Sequence, residues 1–308
     1  MARRLAPIAL VWLAVLLAAG PAHATFPGRN GRIAFTETGT SEMDGPGTWT
    51  FALAVAAPAT DEDPPPPSRE LLFCEMSASS GCTLSDISSP SYSPDGRRIV
   101  FDAGQGIALV DANGRNLTVL PAVTENDGDP AFSKDGRRIV FTGKNEAGGT
   151  DVYVRRVDGR SARLVVEDAA EPAWSSRGAL AWVRDRRVYV GAADGARERL
   201  VTAGINPDWS PSGRRLVLVR PTAPQRIDGR LHVVRPSGRR LRPVRGAVGS
   251  NPVWSPDGRG LAFDIIERGV FVKTLGRRGL RIVADSQIGD SGSRTVLHPA
   301  WRPLPRRR

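Results

Sequence analysis

A motif that recurs along the chain constrains its fold more than any other feature of the sequence. The motif runs Pro-x-aromatic-Ser, then a turn that contains glycine, then a short apolar stretch. Five copies begin at prolines that stand 35 to 45 residues apart: Pro90, Pro130, Pro172, Pro207 and Pro252. An internal period of this length is typical of repeat architectures, in which each copy forms one supersecondary unit.

A sixth copy is divided between the two ends of the sequence. Pro299-Ala-Trp-Arg302 supplies its first half, and Arg29-Asn-Gly-Arg-Ile-Ala-Phe35 supplies its second half. A linear stack of repeats has no reason to divide a copy in this way. A closed ring does, because pairing the last strand with the first strands removes both sheet edges.

Each copy predicts four short strands. Pro-x-aromatic-Ser forms the first strand, the apolar stretch forms the second, and two stretches of alternating apolar residues separated by a glycine turn form the third and fourth. No long stretch with helical periodicity follows residue 24. The predicted fold is therefore all-β: a six-bladed β-propeller of four-stranded antiparallel blades, with the ring closed by pairing of the C-terminal strand with the N-terminal strands.

The turn explains why glycine recurs in the motif. In a Ser-Pro-Asp-Gly β-turn, Pro presets φ and glycine takes the left-handed position, which costs little without a Cβ. The same column of the repeat holds six glycines, which are predicted to adopt positive φ: Gly31, Gly96, Gly136, Gly178, Gly213 and Gly258.

The aromatic residue of each copy predicts how neighbouring blades pack. Side chains alternate between the two faces of a strand, so each aromatic points opposite to the residue before it. Each blade then presents a large side chain to one neighbour and, in most copies, a small one to the other. The aromatics are therefore interpreted as core residues: Tyr92, Phe132, Trp174, Trp209, Trp254 and Trp301.

The N-terminus has the features of an export signal. Arg3 and Arg4 precede an apolar run from Leu5 to Ala19, and Ala22-His-Ala24 resembles a signal-peptidase site. We expect residues 1–24 to be a signal peptide and residues 25–308 to be the propeller; an uncleaved anchor is the alternative. The expected location is secreted or periplasmic.

Export would place the two cysteines where disulfides persist. Cys74 and Cys82 are the only cysteines in the chain, and we expect them to form a disulfide that closes a small loop in blade one; two free thiols are the alternative. The same blade carries an acidic, proline-rich insertion at about residues 57–68, which is interpreted as a stiff solvated loop or, alternatively, as a polyproline ligand.

The repeats resemble the WD40-like propeller repeats of TolB-type proteins, whose signature is Pro-x-Trp-Ser-Pro-Asp-Gly followed by an apolar strand. The resemblance extends from Thr25 to Pro305. It implies a propeller fold, which many secreted proteins use for different purposes. In TolB a smaller α/β domain precedes the propeller, and the propeller binds a peptidoglycan-associated lipoprotein. No such domain fits before Phe26, so a role in the Tol system does not follow.

Loops of a propeller alternate between two faces, and charge separates between them in this sequence. Turns that join strands one to two and three to four carry much of the arginine excess that contributes to the formal net charge of +11. A face for anionic partners is predicted from Arg97, Arg137, Arg214, Arg239 and Arg277; exposed solubilising charge is the alternative. The opposite face is predicted to bind a ligand at the channel mouth, through Asp127, Asp129, Glu171, Asn206, Asn251 and His298; local capping of turns is the alternative.

The expected function is non-enzymatic. We predict a binding or scaffold module of the cell envelope that holds a protein or polymer partner, acts as a monomer and contacts an anionic envelope surface peripherally. No nucleic-acid module is present, and no catalytic residues, cofactor or metal ligands are assigned. Gly289-Asp-Ser-Gly-Ser293 resembles a serine-protease nucleophile segment but lacks a matching histidine motif. The alternative is a six-bladed lactonase or lyase with a metal at the channel mouth.

Overall fold

A computed structural model describes residues 25–41, 48–56, 69–76, 84, 87–104, 106–159, 161–289 and 292–305. The predicted signal peptide, the proline-rich insertion and Cys82 lie outside these residues. The backbone of Cys74 lies in a strand, and its disulfide with Cys82 stays a prediction. Within the described residues the chain is an all-β propeller of antiparallel blades, and no helix there is long and apolar enough to cross a membrane.

The strands follow the repeats closely. The first third of the described chain forms β1 (Arg29–Ser41), β2 (Thr48–Ala56), β3 (Arg69–Met76), β4 (Ser88–Tyr92), β5 (Arg98–Asp102), β6 (Ile107–Asp111) and β7 (Thr118–Val119). The middle forms β8 (Asp127–Phe132), β9 (Arg138–Lys144), β10 (Thr150–Arg156), β11 (Ala162–Val166), β12 (Ala170–Trp174), β13 (Ala179–Arg184), β14 (Arg187–Ala192) and β15 (Arg199–Ala203). The last third forms β16 (Ile205–Trp209), β17 (Leu216–Pro221), β18 (Gly229–Val234), β19 (Arg242–Trp254), β20 (Gly260–Ile265), β21 (Gly269–Thr274), β22 (Arg281–Asp285), β23 (Gln287–Gly289) and β24 (Gly292–Leu304).

These strands assemble into five antiparallel sheets. Three are four-stranded blades with the orders β4-β5-β6-β7, β11-β10-β9-β8 and β12-β13-β14-β15. A fourth sheet has the order β23-β24-β1-β2-β3, so the last long strand pairs with the first. The fifth runs from β16 to β22, because the long strand β19 pairs with β18 through its first half and with β20 through its second half.

In three copies of the motif the serine makes the same hydrogen bonds at the turn. In the first of them Ser93 Oγ donates to Asp95 Oδ1 at 2.6 Å, and the backbone N–H of Arg98 donates to Ser93 Oγ at 2.9 Å. The same arrangement recurs at Ser133 and Ser255. The serine of the motif therefore bridges the aspartate and the end of the turn, which explains why it accompanies the glycine.

Five of the six motif glycines have the predicted positive φ, between 63° and 86°. The prediction is wrong for Gly31, which lies in the extended strand β1 and not at positive φ. A Cβ at Gly31 would stand 2.8 Å from the carbonyl oxygen of Arg302. Glycine is needed there for the close approach of β24, because the divided copy has no continuous turn at this point.

The predicted packing of large against small residues is present at several interfaces. The aromatic side chains of the motif are at most 7% exposed. Trp174 shares a core cluster with Ala131 of the preceding repeat, and Trp209 shares one with Ala173. Trp209 also donates its indole N–H to the carbonyl of Ala173 at 3.2 Å. Core packing is therefore the role of these aromatics.

Blade one departs from the expected strand lengths. The hairpin β1–β2 continues to the pair Ser41 and Thr48, so residues 38–41 extend β1 beyond the repeat. On its other side β1 pairs with β24 as far as Gly292. Before the closing strand, Gly289 of β23 pairs with Gly292 of β24.

Candidate functional site

Six residues that precede the motif prolines share one unusual backbone conformation. We call Ser89, Asp129, Glu171, Asn206, Asn251 and His298 the pre-proline set. Each has a positive φ between 49° and 53°, although none is glycine. The pairing register shifts at each of these positions, which marks a bulge in the first strand of every copy. A residue before proline normally favours extended backbone, so tertiary structure imposes this conformation.

Neighbouring members of the set are joined in pairs. Ser89 Oγ donates to Asp129 Oδ1 at 2.9 Å, and both residues are buried. Burial raises the pKa of Asp129 well above its usual value, the charge of Asp102 raises it further, and the Ser89 hydrogen bond partly opposes both. Asp129 is therefore a carboxyl group that retains its proton to higher pH than an exposed aspartate.

The next pair is Glu171 and Asn206. The carboxylate of Glu171 accepts a short hydrogen bond from the backbone N–H of Asn206, and both residues are at most 8% exposed. The negative charge of Glu171 also contributes to the raised pKa of Asp129. Ser89, Asp129, Glu171 and Asn206 thus form one connected run across successive repeats.

The third group is organised by Asp264, which is fully buried at the end of β20. Its Oδ1 accepts from Asn251 Nδ2 at 2.8 Å and from the backbone N–H of His298 at 3.2 Å. Its Oδ2 accepts from Ser250 Oγ at 2.7 Å. His298 is partly exposed, and its Nδ1 lies 3.4 Å from Thr36 Oγ1.

Asp127 differs from the other predicted site residues. Its carboxylate accepts hydrogen bonds from the backbone N–H of Val123 at 2.6 Å and of Thr124 at 2.9 Å, and from Thr124 Oγ1 at 2.7 Å. It is 1% exposed. These contacts fix the loop that enters β8, which is the capping role that the sequence left open.

Sequence reasoning missed three residues of this region. Ser89 occupies the same column of the repeat as Asp129, but it is neither an acid nor an amide, so the pattern of charged and amide residues does not include it. Asp102 and Asp264 each follow the last aromatic of the second strand, after Phe101 and Phe263. Extending the repeat alignment by one residue in each direction would have found all three.

Beside Asp127, the loop before β8 and the loop after β9 enclose a recess of about 780 Å³. Residues 123–125 and 144–148 line it together with Asp151 and Tyr153. Glu125 and Lys144 meet across it at 3.4 Å, and both are solvent-exposed. The loops that join strands two to three and four to one therefore lie together in this repeat, as the two-face prediction requires.

No group of three His, Cys, Asp or Glu side chains within the described ranges is placed so that it could hold a metal ion. The two acids of the pre-proline set are instead engaged with a serine hydroxyl, at Asp129, and a backbone N–H, at Glu171. Together these contacts hold the pre-proline set as a rigid and mostly buried polar network.

The predicted basic face divides into two kinds of arginine. The five predicted residues Arg97, Arg137, Arg214, Arg239 and Arg277 are exposed at turns. The second arginine of the Gly-Arg-Arg step instead reaches the next repeat: Arg98 stacks on Phe132 at 5.6 Å, Arg138 on Trp174 at 5.4 Å and Arg215 on Trp254 at 4.9 Å, measured from the guanidinium carbon to the ring centroid. Only the first arginine of each pair is therefore free of a packing role of this kind.

Comparison with protein families gives one match. Residues 78–257, more than half of the chain, match the family described as TolB beta propeller domain. No curated protein sequence matches the chain significantly.

Several solved structures are similar in fold. TolB from Acinetobacter baumannii superposes with a TM-score of 0.66 at 18% identity, over 89% of this chain and 67% of that one. A putative TolB from Agrobacterium tumefaciens gives 0.62 at 15% identity, over 89% and 99%. Oligogalacturonate lyase in complex with manganese gives 0.51 at 14% identity, over 86% and 80%. At these identities the likeness establishes the fold alone.

Proposed function

Because the chain belongs to the TolB β-propeller domain family, we propose that it is a non-enzymatic binding propeller of the cell envelope. Its partner is a protein or polymer, held at the face that carries the pre-proline set. The export signal expected in residues 1–24 supports a secreted or periplasmic location, and the TolB fold is compatible with it.

The observation that carries this proposal is the left-handed backbone at all six members of the set. A non-glycine residue in this region costs on the order of 1 kcal/mol or more, and such strain concentrates where structure serves binding. Five of the six residues are less than 9% exposed, and the side chains of Ser89, Asp129, Glu171 and Asn251 are hydrogen-bonded. The face that carries this network is therefore pre-ordered. Little conformational entropy of this protein is lost when a partner binds.

Charge indicates what the partner offers. The charges of Asp102 and Glu171 both raise the pKa of Asp129. The recess alongside adds Glu125 and Asp151. The carboxylates among these groups accept hydrogen bonds and carry negative charge, whereas Asp129 retains its proton to higher pH. A matching partner therefore presents N–H and ammonium or guanidinium donors, as a basic peptide segment does.

We also infer that the six motif copies form six blades in a closed ring. Two features support this. The long strand β19 changes partner from β18 to β20 between Gly249 and Ser250, so the seven-stranded sheet divides into two four-stranded units that share it. The pairing of β1 with β24 supplies the junction between the two ends of the chain.

The test compares two matched triple variants of residues 25–308. One carries Asp129→Asn, Glu171→Gln and His298→Asn on the pre-proline face. The other carries Arg97→Gln, Arg137→Gln and Arg214→Gln on the basic face. Each is immobilised and exposed to envelope extract, and captured components are quantified by mass spectrometry beside the unmodified chain.

We expect the pre-proline variant to lose at least one component that the unmodified protein and the arginine variant both retain. Equal capture by the unmodified protein and the pre-proline variant would contradict the proposal. Metal analysis of the purified protein gives a second test: a tightly held stoichiometric metal would favour the enzyme alternative. Thermal unfolding of all three proteins separates loss of binding from loss of fold.

A further inference from the structure

A cavity of about 860 Å³ opens on the basic face between the units β16–β19 and β19–β22. Its lining comes from the end of β18, the start of β19, the end of β21 and the turns that follow β18 and β21. This size falls within the range of about 300–1,000 Å³ that is usual for small-molecule sites. The cavity lies away from the pre-proline set, none of whose members line it.

The lining is strongly cationic and contains no acid. Besides Arg215, which stacks on Trp254, its exposed arginines are Arg235, Arg240, Arg242, Arg245, Arg277 and Arg278. Four ion pairs are found within the described residues, and none involves these arginines. So many like charges around one cavity repel one another, and a bound anion would relieve that repulsion.

A buried cation supports the same conclusion. Lys273 is 4% exposed, and its ammonium donates to the carbonyl oxygens of Arg277 at 2.8 Å and Gly279 at 3.0 Å. An ammonium has three N–H donors, and within the described part of the chain no third acceptor and no carboxylate takes the remaining one. A buried charge without a counter-ion is costly, so this lysine lining the cavity points to an anionic ligand.

The floor of the cavity is apolar. Val244 is buried, and Val233 and Leu275 are partly buried against the same core cluster. A free inorganic anion would occupy a small part of this volume and leave the apolar floor unused. Guanidinium groups pair with phosphate through two parallel hydrogen bonds.

We propose that this cavity binds a phosphate-bearing amphiphile, with the phosphate among the arginines and Lys273 and the hydrocarbon portion against Val233, Val244 and Leu275. The same chemistry is available from a monomer in solution and from a phospholipid in a bilayer. The inference does not depend on what the pre-proline face binds.

The test uses octyl phosphate as probe, kept below its micelle concentration, with inorganic phosphate and octyl glucoside as comparison ligands in calorimetric titrations. We expect one octyl phosphate per chain, bound at least about tenfold more tightly than either comparison ligand. Arg240→Gln, Arg242→Gln and Arg278→Gln together should weaken binding by about tenfold or more. The control triple Arg97→Gln, Arg137→Gln and Arg214→Gln removes the same charge elsewhere and should leave affinity within about twofold.

Equal affinity for inorganic phosphate and octyl phosphate would overturn the proposal, and so would an equal loss in both arginine triples, because the effect would then be that of the whole basic face. Leu275→Asn should reduce the preference for octyl phosphate over inorganic phosphate; an unchanged preference counts against the apolar subsite.

Co-sedimentation with phosphatidylglycerol vesicles identifies the source of the ligand. Vesicle binding that octyl phosphate displaces assigns a bilayer lipid, and no vesicle binding assigns a monomer. The Asp129, Glu171 and His298 triple should bind octyl phosphate normally.

Discussion

The hydroxyl of Thr25 donates a 2.7 Å hydrogen bond to the buried carboxylate of Asp208, 183 residues further along the chain. The same carboxylate oxygen accepts from the backbone N–H of Trp254 at 2.7 Å. Asp208 occupies the position where other copies of the motif hold a small side chain such as Ala131 or Ala173. A polar contact there ties the start of the described chain to two repeats near its other end.

This contact predicts a specific pH dependence. Burial raises the pKa of Asp208 to about 7, and its hydrogen bonds from Trp254 and Thr25 only partly oppose the rise. In an unfolded chain an aspartate titrates at about pH 4. Between those values the folded state binds more protons than the unfolded state, so this residue lowers the free energy of unfolding as pH rises, and the effect levels off above about pH 7.

We expect Asp208→Asn to remove that slope, measured as urea unfolding at intervals from pH 5 to 8. Asp228→Asn is the control, because its ion pair with Arg226 lowers the pKa of Asp228 and its contribution is lost only at more acidic pH. A difference between the unmodified protein and Asp208→Asn that is flat across this range would contradict the assignment.

The two arginines of a Gly-Arg-Arg step should differ in their effect on stability. Arg138 stacks on Trp174 of the next repeat, whereas Arg137 is exposed at the turn. We expect Arg138→Ala to lower the free energy of unfolding by about 0.5–1 kcal/mol and Arg137→Ala to change it by less than about 0.5 kcal/mol. Chemical denaturation of both variants checks this, and equal effects would remove the inter-repeat role.

Gly148 and Gly195 have the same φ of 81°. Replacing each with alanine therefore distinguishes backbone strain from steric crowding. A Cβ at Gly195 would stand 2.0 Å from the carbonyl oxygen of Val165, whereas a Cβ at Gly148 would meet nothing within 4 Å. We expect Gly148→Ala to cost on the order of 1 kcal/mol from strain alone. Gly195→Ala should cost about 1–3 kcal/mol more, because β11 of the preceding blade must shift. Similar unfolding midpoints for the two variants would show that the blades are not in close contact at this point.

Removal of the last strand tests whether the ring is closed. Trp301 donates its indole N–H to the carbonyl of Gly31 at 3.0 Å, and Arg302 Nε donates to the carbonyl of Gly96 at 2.7 Å. Deletion of residues 297–308 removes both contacts and leaves residues 29–36 of β1 without a partner on that side. We expect this variant to lose cooperative thermal unfolding, while deletion of residues 306–308 has little effect. A fully stable, cooperative chain without residues 297–308 would argue against closure.

Local sterics made the strands and turns of this fold predictable from sequence. Ser-Pro-Asp-Gly encodes its own turn, and alternation of aromatic and small residues encodes which side of a strand is buried. Both depend on neighbours within a few residues. The divided copy shows where this local prediction fails. Gly31 stands at the glycine position of the motif, but the chain is not continuous through a turn there. Its close approach to Arg302 explains why the residue is glycine.

The candidate site was less accessible to sequence reasoning. The pre-proline position was found from its charged and amide residues, but its left-handed backbone opposes the local preference of a residue before proline. That conformation is imposed by the bulge against the second strand. Likewise the partners Asp102 and Asp264 come from a neighbouring strand, and the cationic cavity forms from turns of two units that are about 40 residues apart in sequence.

The shared strand β19 bears on how the molecule comes apart. One continuous backbone from Arg242 to Trp254 pairs with β18 through its first half and with β20 through its second half, so opening of either unit displaces one end of the strand on which the other is paired. Amide hydrogens of β17–β18 and β20–β21 should therefore exchange with similar protection, as one cooperative opening event. The two walls of the cavity that carry Arg242 and Lys273 would then open together in that one event.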